Sequence, residues 1–110
     1  MSNVLAVPAV TDGDFAAETA RGAVAVEFTA RWCGPCRMMA PVVERLAQEY
    51  EGRMRVVQMD TDDNPATMAR LGVRSVPTML VLRDGTVVER IIGATTWTAV
   101  RERVDRALAL

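Results

Sequence analysis

Along this chain, apolar runs alternate with stretches in which apolar residues recur at helical spacing. The first run, Val7 to Val10, carries Pro8, which cannot donate to a ladder, so an edge strand is expected. Thr11 and Asp12 can cap a short helix over roughly Asp14 to Arg21. "AVAVEFTA", Ala23 to Ala30, is nearly continuous apolar and β-branched, which suits a central strand buried on both faces. Its interruption is Glu27. After it, Met39, Val42 or Val43, Leu46 and Tyr50 fall on one helical stripe, with Pro41 predicted to kink the helix and Gly52 to end it. "MRVVQMD", Met54 to Asp60, reads as a further strand. Asn64-Pro65 is a cap followed by proline at the first helical position, and Gly72 closes that helix. Thr78 to Ile92 is two strands turning at Asp84-Gly85, a strong hairpin signal. Trp97, Val100, Val104 and Leu108 form the stripe of a last helix.

The order strand, helix, strand, helix, strand, helix, hairpin, helix predicts parallel βαβ crossovers in the front half and an antiparallel addition at the end. The expected architecture is α/β, a mixed five-stranded central sheet flanked by four helices. The chain has 110 residues, half of them apolar, which suits one domain over residues 1–110 with a core of its own.

Charge and composition remove several functions. The formal charge is −1, so no electrostatic term favours nucleic acid or an anionic membrane. Every basic residue is Arg, and there is no Lys and no His. That excludes an imidazole base, a Schiff-base lysine and a histidine metal ligand. No stretch reaches the length of a transmembrane helix, and "MSNVLAVPAVTDGD" lacks a basic n-region and a cleavage site. A cytoplasmic address is expected. In that reducing compartment, a close cysteine pair points to catalysis or metal binding more than to a structural staple.

The chain's only cysteines stand in "WCGPC", Trp32 to Cys36. A thiolate, not a thiol, attacks a disulfide, and an unperturbed cysteine is only a few per cent ionised at neutral pH. Cys33 falls between a strand and the start of a helix, where unpaired backbone N–H groups and the helix dipole favour negative charge. Cys36 lies one turn later and is expected to be the more buried. Cys33 would attack a partner's disulfide, and Cys36 would then attack Cys33 and release the partner as a dithiol. The short Gly34-Pro35 insert gives that second step a high effective concentration. Cys36 starts protonated and needs a base. Glu27, a carboxylate in an apolar strand, is the candidate, because desolvation would raise its pKa towards the working pH. The competing expectation is that Glu27 turns outward at a sheet edge.

Other uses of these residues fit less well. Structural zinc sites close with four Cys or His ligands, and this chain has two. Covalent haem needs CxxCH, but Arg37 follows Cys36. "DTDDN", Asp60 to Asn64, lacks the glycine and the distal glutamate of a calcium loop. No metal site is expected. Met38 and Met39 read as core filling. Trp97 reads as an anchor for the last helix, and Trp32 as a surface residue with a functional role.

With these pieces in place, the chain resembles the thioredoxin family from about Thr11 to Leu108. The resemblance is carried by "WCGPC" with Arg37 and Pro41, "DDNP" at Asp62 to Pro65, "GVRSVPT" at Gly72 to Thr78, Asp84-Gly85 and Gly93-Ala94. It implies the thioredoxin fold and a protein-disulfide reductase that carries electrons in a reversible Cys33–Cys36 disulfide and binds no cofactor. It implies that Val76-Pro77 is a cis turn facing the disulfide. Trp32, Gly34, Pro35, Val76, Pro77, Gly93 and Ala94 would form the docking surface for substrate. The implied partners are an NADPH-dependent flavoprotein reductase, thioredoxin reductase, and disulfide-containing clients such as ribonucleotide reductase, peroxiredoxin and methionine sulfoxide reductase. A monomer is implied.

Three departures stand out. The family usually has Asp at the position of Glu27, Lys at that of Gln58 and Trp at that of Thr29. Losing the lysine cation is expected to push the acid's pKa upward. The Gly-Pro insert and the N-terminus favour a reductant over an oxidase or isomerase. A rival of another class is a thioredoxin-fold binding subunit whose cysteines never turn over. Both cysteines, the acid and Pro77 favour the enzyme.

Overall fold

A computed structural model describes residues 7–109. Expectations about the first six residues, including the missing n-region, lie outside the described residues. The elements are α1 (Phe15–Thr19), β1 (Ala23–Thr29), α2 (Gly34–Glu49), β2 (Arg55–Asp60), α3 (Pro65–Arg70), β3 (Thr78–Arg83), β4 (Thr86–Ile92) and α4 (Trp97–Leu108).

The strands form one sheet in the order β2-β1-β3-β4. β1 runs parallel to β2 and antiparallel to β3, and β4 pairs antiparallel with β3. The mixed sheet and its four helices match expectation, but the fifth strand does not form among the described residues. The run from Val7 to Val10 shrinks to one bridge, Ala9 opposite Gln58. Val10 donates to the Gln58 carbonyl, and Gln58 donates to the Pro8 carbonyl. Pro8 has no N–H to extend the ladder, and the chain turns away at Thr11, whose carbonyl accepts from Asp14 and Phe15.

The period-two alternation of the strands sorts the core into two layers. Ala25, Val56, Met79, Val81 and Ile91 pack with Met39, Val43 and Leu46 of α2 and Val100 and Val104 of α4. Val24, Val26, Phe28, Val57, Met59, Leu80 and Leu82 pack on the other face with Phe15 and Val73. β1, inside the sheet, is covered on both sides. Glu27 therefore shares the α2 side with Ala25, and its outward-facing alternative fails because β1 is not an edge.

Local signals account for most element boundaries. Pro35 opens α2, and Pro41 lies within α2 without dividing it. The β3–β4 turn has positive φ at Asp84 (50°) and Gly85 (85°), the left-handed pair that a two-residue hairpin turn requires. Thr96 caps α4 by accepting the Ala99 N–H. The capping expectation for Asp12 is corrected. Its carboxylate accepts the N–H groups of Ala66 and Thr67, so it caps α3, 54 and 55 residues away. Asn64 holds the N-cap position of α3 but makes no side-chain cap there. Its amide oxygen accepts from Asp12 N–H and its amide nitrogen donates to Asp60 O. The methionine pair also divides: Met39 is core, whereas Met38 is 75% exposed. Trp97 packs partly against the core under the guanidinium of Arg45.

Candidate active site

β1 ends at Thr29, and a three-residue loop delivers the chain to Cys33, the N-cap of α2. Cys33 has extended backbone angles, φ −89° and ψ 110°. Its N–H donates to the Ala30 carbonyl at 3.2 Å and its carbonyl accepts from Arg37 N–H at 3.3 Å. The side chain occupies the place of a capping oxygen, and Cys33 Sγ accepts the Cys36 N–H at 3.1 Å. The first N–H groups of a helix have no partner within it, so this sulfur sits where the backbone presents donors and the positive end of the dipole. Cys33 and Cys36 are joined as a disulfide. The expectation that Cys36 is the more buried is not met. Both cysteines are buried, with exposures of 3% and 5%, and they pack with Ala30 and Val76.

The remaining predicted docking residues come from three separate places in the chain. The Val76–Pro77 bond is cis. The Val76 carbonyl oxygen lies 3.7 Å from Cys33 Sγ. Pro77 is buried, and its carbonyl accepts the Gly93 N–H at 2.8 Å, which draws the end of β4 beside the cis turn. The Thr95 N–H reaches Met39 Sδ at 3.3 Å, tying the Gly93-Ala94 segment to α2. Gly34, Pro35 and Ala94 are exposed and Val76 is half-buried. Trp32 is 67% exposed. Its indole N–H donates to Asp62 Oδ2 at 2.9 Å, so the ring is tethered to the β2–α3 loop. Neighbouring Arg31 pairs with Asp63 at 3.8 Å. Asp62 was legible only as part of a motif. Its role as a tether depends on a contact across 30 residues that no local spacing announces. Ile92, 65% exposed beside Gly93, carries in its local pattern only the signature of a strand residue.

Glu27 lies beneath the start of α2. It is 4% exposed, and its Oε2 is buried with no hydrogen-bond partner. Burial pushes its pKa from 4.5 up to about 7. Glu27 and Cys36 line one cavity of about 440 Å³, together with Thr29, Ala40, Gln58 and Asp60. Gln58 is the register partner of Glu27 across β1 and β2. Its amide does not serve the carboxylate as a donor to Oε2; Nε2 donates to Val7 O at 3.1 Å. Among the described residues, no group of three or more His, Cys, Asp or Glu is placed to hold a metal ion, and no helix is long and apolar enough to cross a membrane.

A helix-capping disulfide facing a cis-proline turn is chemistry for dithiol exchange, and the comparisons agree. The thioredoxin family model matches residues 6–106. The chain belongs to the thioredoxin family. It is 45% identical over 104 residues to the thioredoxin of Bacillus subtilis (strain 168), covering 94% of this chain and all of that protein. It is 41% identical over 104 residues, with the same coverage, to the thioredoxin of Staphylococcus aureus (strain MW2). The chain is accordingly a thiol–disulfide oxidoreductase that works through its Cys33–Cys36 pair. Family membership implies disulfide-bearing clients and a reductase that recharges the pair. It also places the redox equivalents on sulfur and not on a bound cofactor.

Proposed function

We propose that the protein is a protein-disulfide reductase in which Cys33 is the nucleophile, Cys36 the resolving thiol and Glu27 the proton acceptor for Cys36. The observation that carries this reading is the hydrogen bond from Cys36 N–H to Cys33 Sγ, because a sulfur that caps a helix is ionised at lower pH than a free one. The thiolate of Cys33 attacks one sulfur of the client disulfide. A Cys33–client bond forms and the other client sulfur leaves. Glu27 takes the Cys36 proton, the Cys36 thiolate attacks Cys33 Sγ, and the client leaves as a dithiol. The balance is one client disulfide reduced and one Cys33–Cys36 disulfide formed.

The docking surface in this reading is Trp32, Gly34, Pro35, Val76, Pro77, Gly93 and Ala94. An extended client segment would lie along the cis turn, with the Val76 backbone available to pair with it. Residues 1–110 act as one thioredoxin domain and as a monomer. The address is cytoplasmic, where an NADPH-dependent flavoprotein reductase supplies electrons. Ribonucleotide reductase, peroxiredoxin and methionine sulfoxide reductase are the client classes in view. Support for the reductase and clients comes from the family alone.

The test is coupled turnover with NADPH, a thioredoxin reductase and a disulfide client. Cys33→Ser abolishes NADPH consumption in this reading, and Cys36→Ser traps a mixed disulfide on Cys33. Client binding that survives both substitutions, with no NADPH oxidised by the unaltered protein, would instead identify a binding subunit. Glu27→Gln slows release of the mixed disulfide. Single-turnover rates that matched the unaltered protein from about pH 6 to 9 would remove Glu27 from the mechanism.

A further inference from the structure

The cavity beneath the start of α2 is the feature the dithiol chemistry leaves unexplained. It has room for several water molecules, and it is lined by both Glu27 and Cys36. Glu27 forms part of its wall, and the Oε2 of that side chain is buried without a hydrogen-bond partner, an atom that would ordinarily demand a donor. Thr29, two residues along β1, lines the same cavity and is half-buried where its neighbours on the strand are fully buried. The rim carries Arg31 and Arg37, both exposed. This is therefore a pocket open at its rim, with the short polar side chain of Thr29 in its lining.

We propose that Thr29 is a positioning residue for proton transfer at Cys36: its small side chain keeps open the cavity through which solvent approaches the Glu27 side chain. The inference rests on the reading of Glu27 as proton acceptor and deepens it. A carboxyl beside an open cavity is less completely desolvated than one packed on all sides, which limits the penalty of burial and lets it ionise at a working pH. An apolar side chain that filled the cavity would strip that hydration and hold the carboxyl protonated to higher pH. The proton that leaves Cys36 passes to Glu27 and from there to solvent along the same opening. The other charged groups around Glu27 are Asp60, Arg31 and Arg37 in this cavity and Glu44 in the smaller depression on its far side. All four remain in place when only Thr29 is changed.

The experiment compares Thr29→Leu, Thr29→Val and Thr29→Ser with the unaltered protein and with Glu27→Gln. Two midpoints are read: the carbon-13 titration of the Glu27 carboxyl in the reduced protein, and the pH profile of mixed-disulfide resolution in a single turnover. Thr29→Leu is expected to move both midpoints up by about one pH unit, and thus to slow resolution on the order of tenfold well below the midpoint. Thr29→Val, near-isosteric and safe for folding, is expected to move both in the same direction by less. Thr29→Ser is expected to leave them in place. Midpoints that stay put in both the Leu and Val variants overturn the role of Thr29. If Glu27→Gln meanwhile abolishes the kinetic midpoint, Glu27 keeps its role and only the cavity inference is lost. If Glu27→Gln leaves the kinetic midpoint intact, both fall together.

Discussion

Glu27 and Gln58 face each other in register across β1 and β2, yet the Gln58 amide donates to Val7 and Glu27 Oε2 is left without a partner. Burial is the cause of the shift to about 7, and a neutral amide at position 58 brings no charge to oppose it. Restoring a cation there reverses the effect. Gln58→Lys is expected to lower the Glu27 midpoint by about one pH unit or more, because an opposite charge within reach favours the ionised form. Carbon-13 NMR titration of the Glu27 carboxyl reads the change directly.

The same carboxyl makes folding stability depend on pH in an unusual direction. Its folded pKa is raised, from 4.5 to about 7, so the native state holds the proton where the unfolded chain has lost it. Its contribution to stability is therefore fully present below about pH 4.5, falls as pH rises, and is lost by the time pH has passed 7. Over that window the loss amounts to roughly 3 kcal/mol. Glu27→Gln removes the slope. Urea unfolding of the oxidised protein at a series of pH values is expected to show the decline in the unaltered chain and a curve flatter by about that amount in the variant.

Glu89 on β4 and Arg103 on α4 titrate in the opposite sense. Arg103 Nε and one terminal nitrogen meet the two carboxylate oxygens at 3.1 Å each, and the same terminal nitrogen also donates to Arg90 O at 2.7 Å. The hydrogen bonds from Arg103 hold the Glu89 pKa below 4.5. The clamp therefore stabilises the fold above the ordinary glutamate range and is lost as pH falls through the depressed value. Both groups are partly solvated, so Arg103→Leu is expected to cost only about 1 kcal/mol at neutral pH. The difference between variant and unaltered protein is expected to vanish in acid, as read by thermal melts.

The reduced protein is expected to show unequal thiols. Cys33 sits at the N-cap with the Cys36 N–H directed at its sulfur, whereas Cys36 lies one turn inside the helix beside Glu27 and the shared cavity. Iodoacetamide at pH 7 is expected to label Cys33 several-fold faster than Cys36, with peptide mass mapping to assign the site. Equal, slow labelling of both would mean that the helix terminus does not activate the sulfur.

Local patterns in the chain carried much of this fold. The strands β1 and β3 stand out as nearly continuous apolar runs because a strand buried on both faces has no polar alternation to keep. The hairpin was visible because Asp84-Gly85 meets a backbone requirement at that turn. The N-terminal run has the composition of a full strand, while its pairing depends on where Pro8 falls against β2. Asp12 points by its position to the nearer helix because capping signals are read along the chain, whereas its carboxylate is spent on α3 across 54 residues.

The cysteine pair at a helix start, the buried acid on a central strand and the family that unites them are all readable from the linear order of residues. These follow from short-range rules: period, spacing and the conformational demands of proline and glycine. It takes the folded chain to bring Gly93 to Pro77, Asp62 to Trp32, and Thr29, Gln58 and Cys36 into one cavity with Glu27. Gly93–Pro77 and Asp62–Trp32 join residues distant in sequence, and the cavity gathers residues from two strands and a helix, so all depend on the packing of whole elements, which no local pattern encodes.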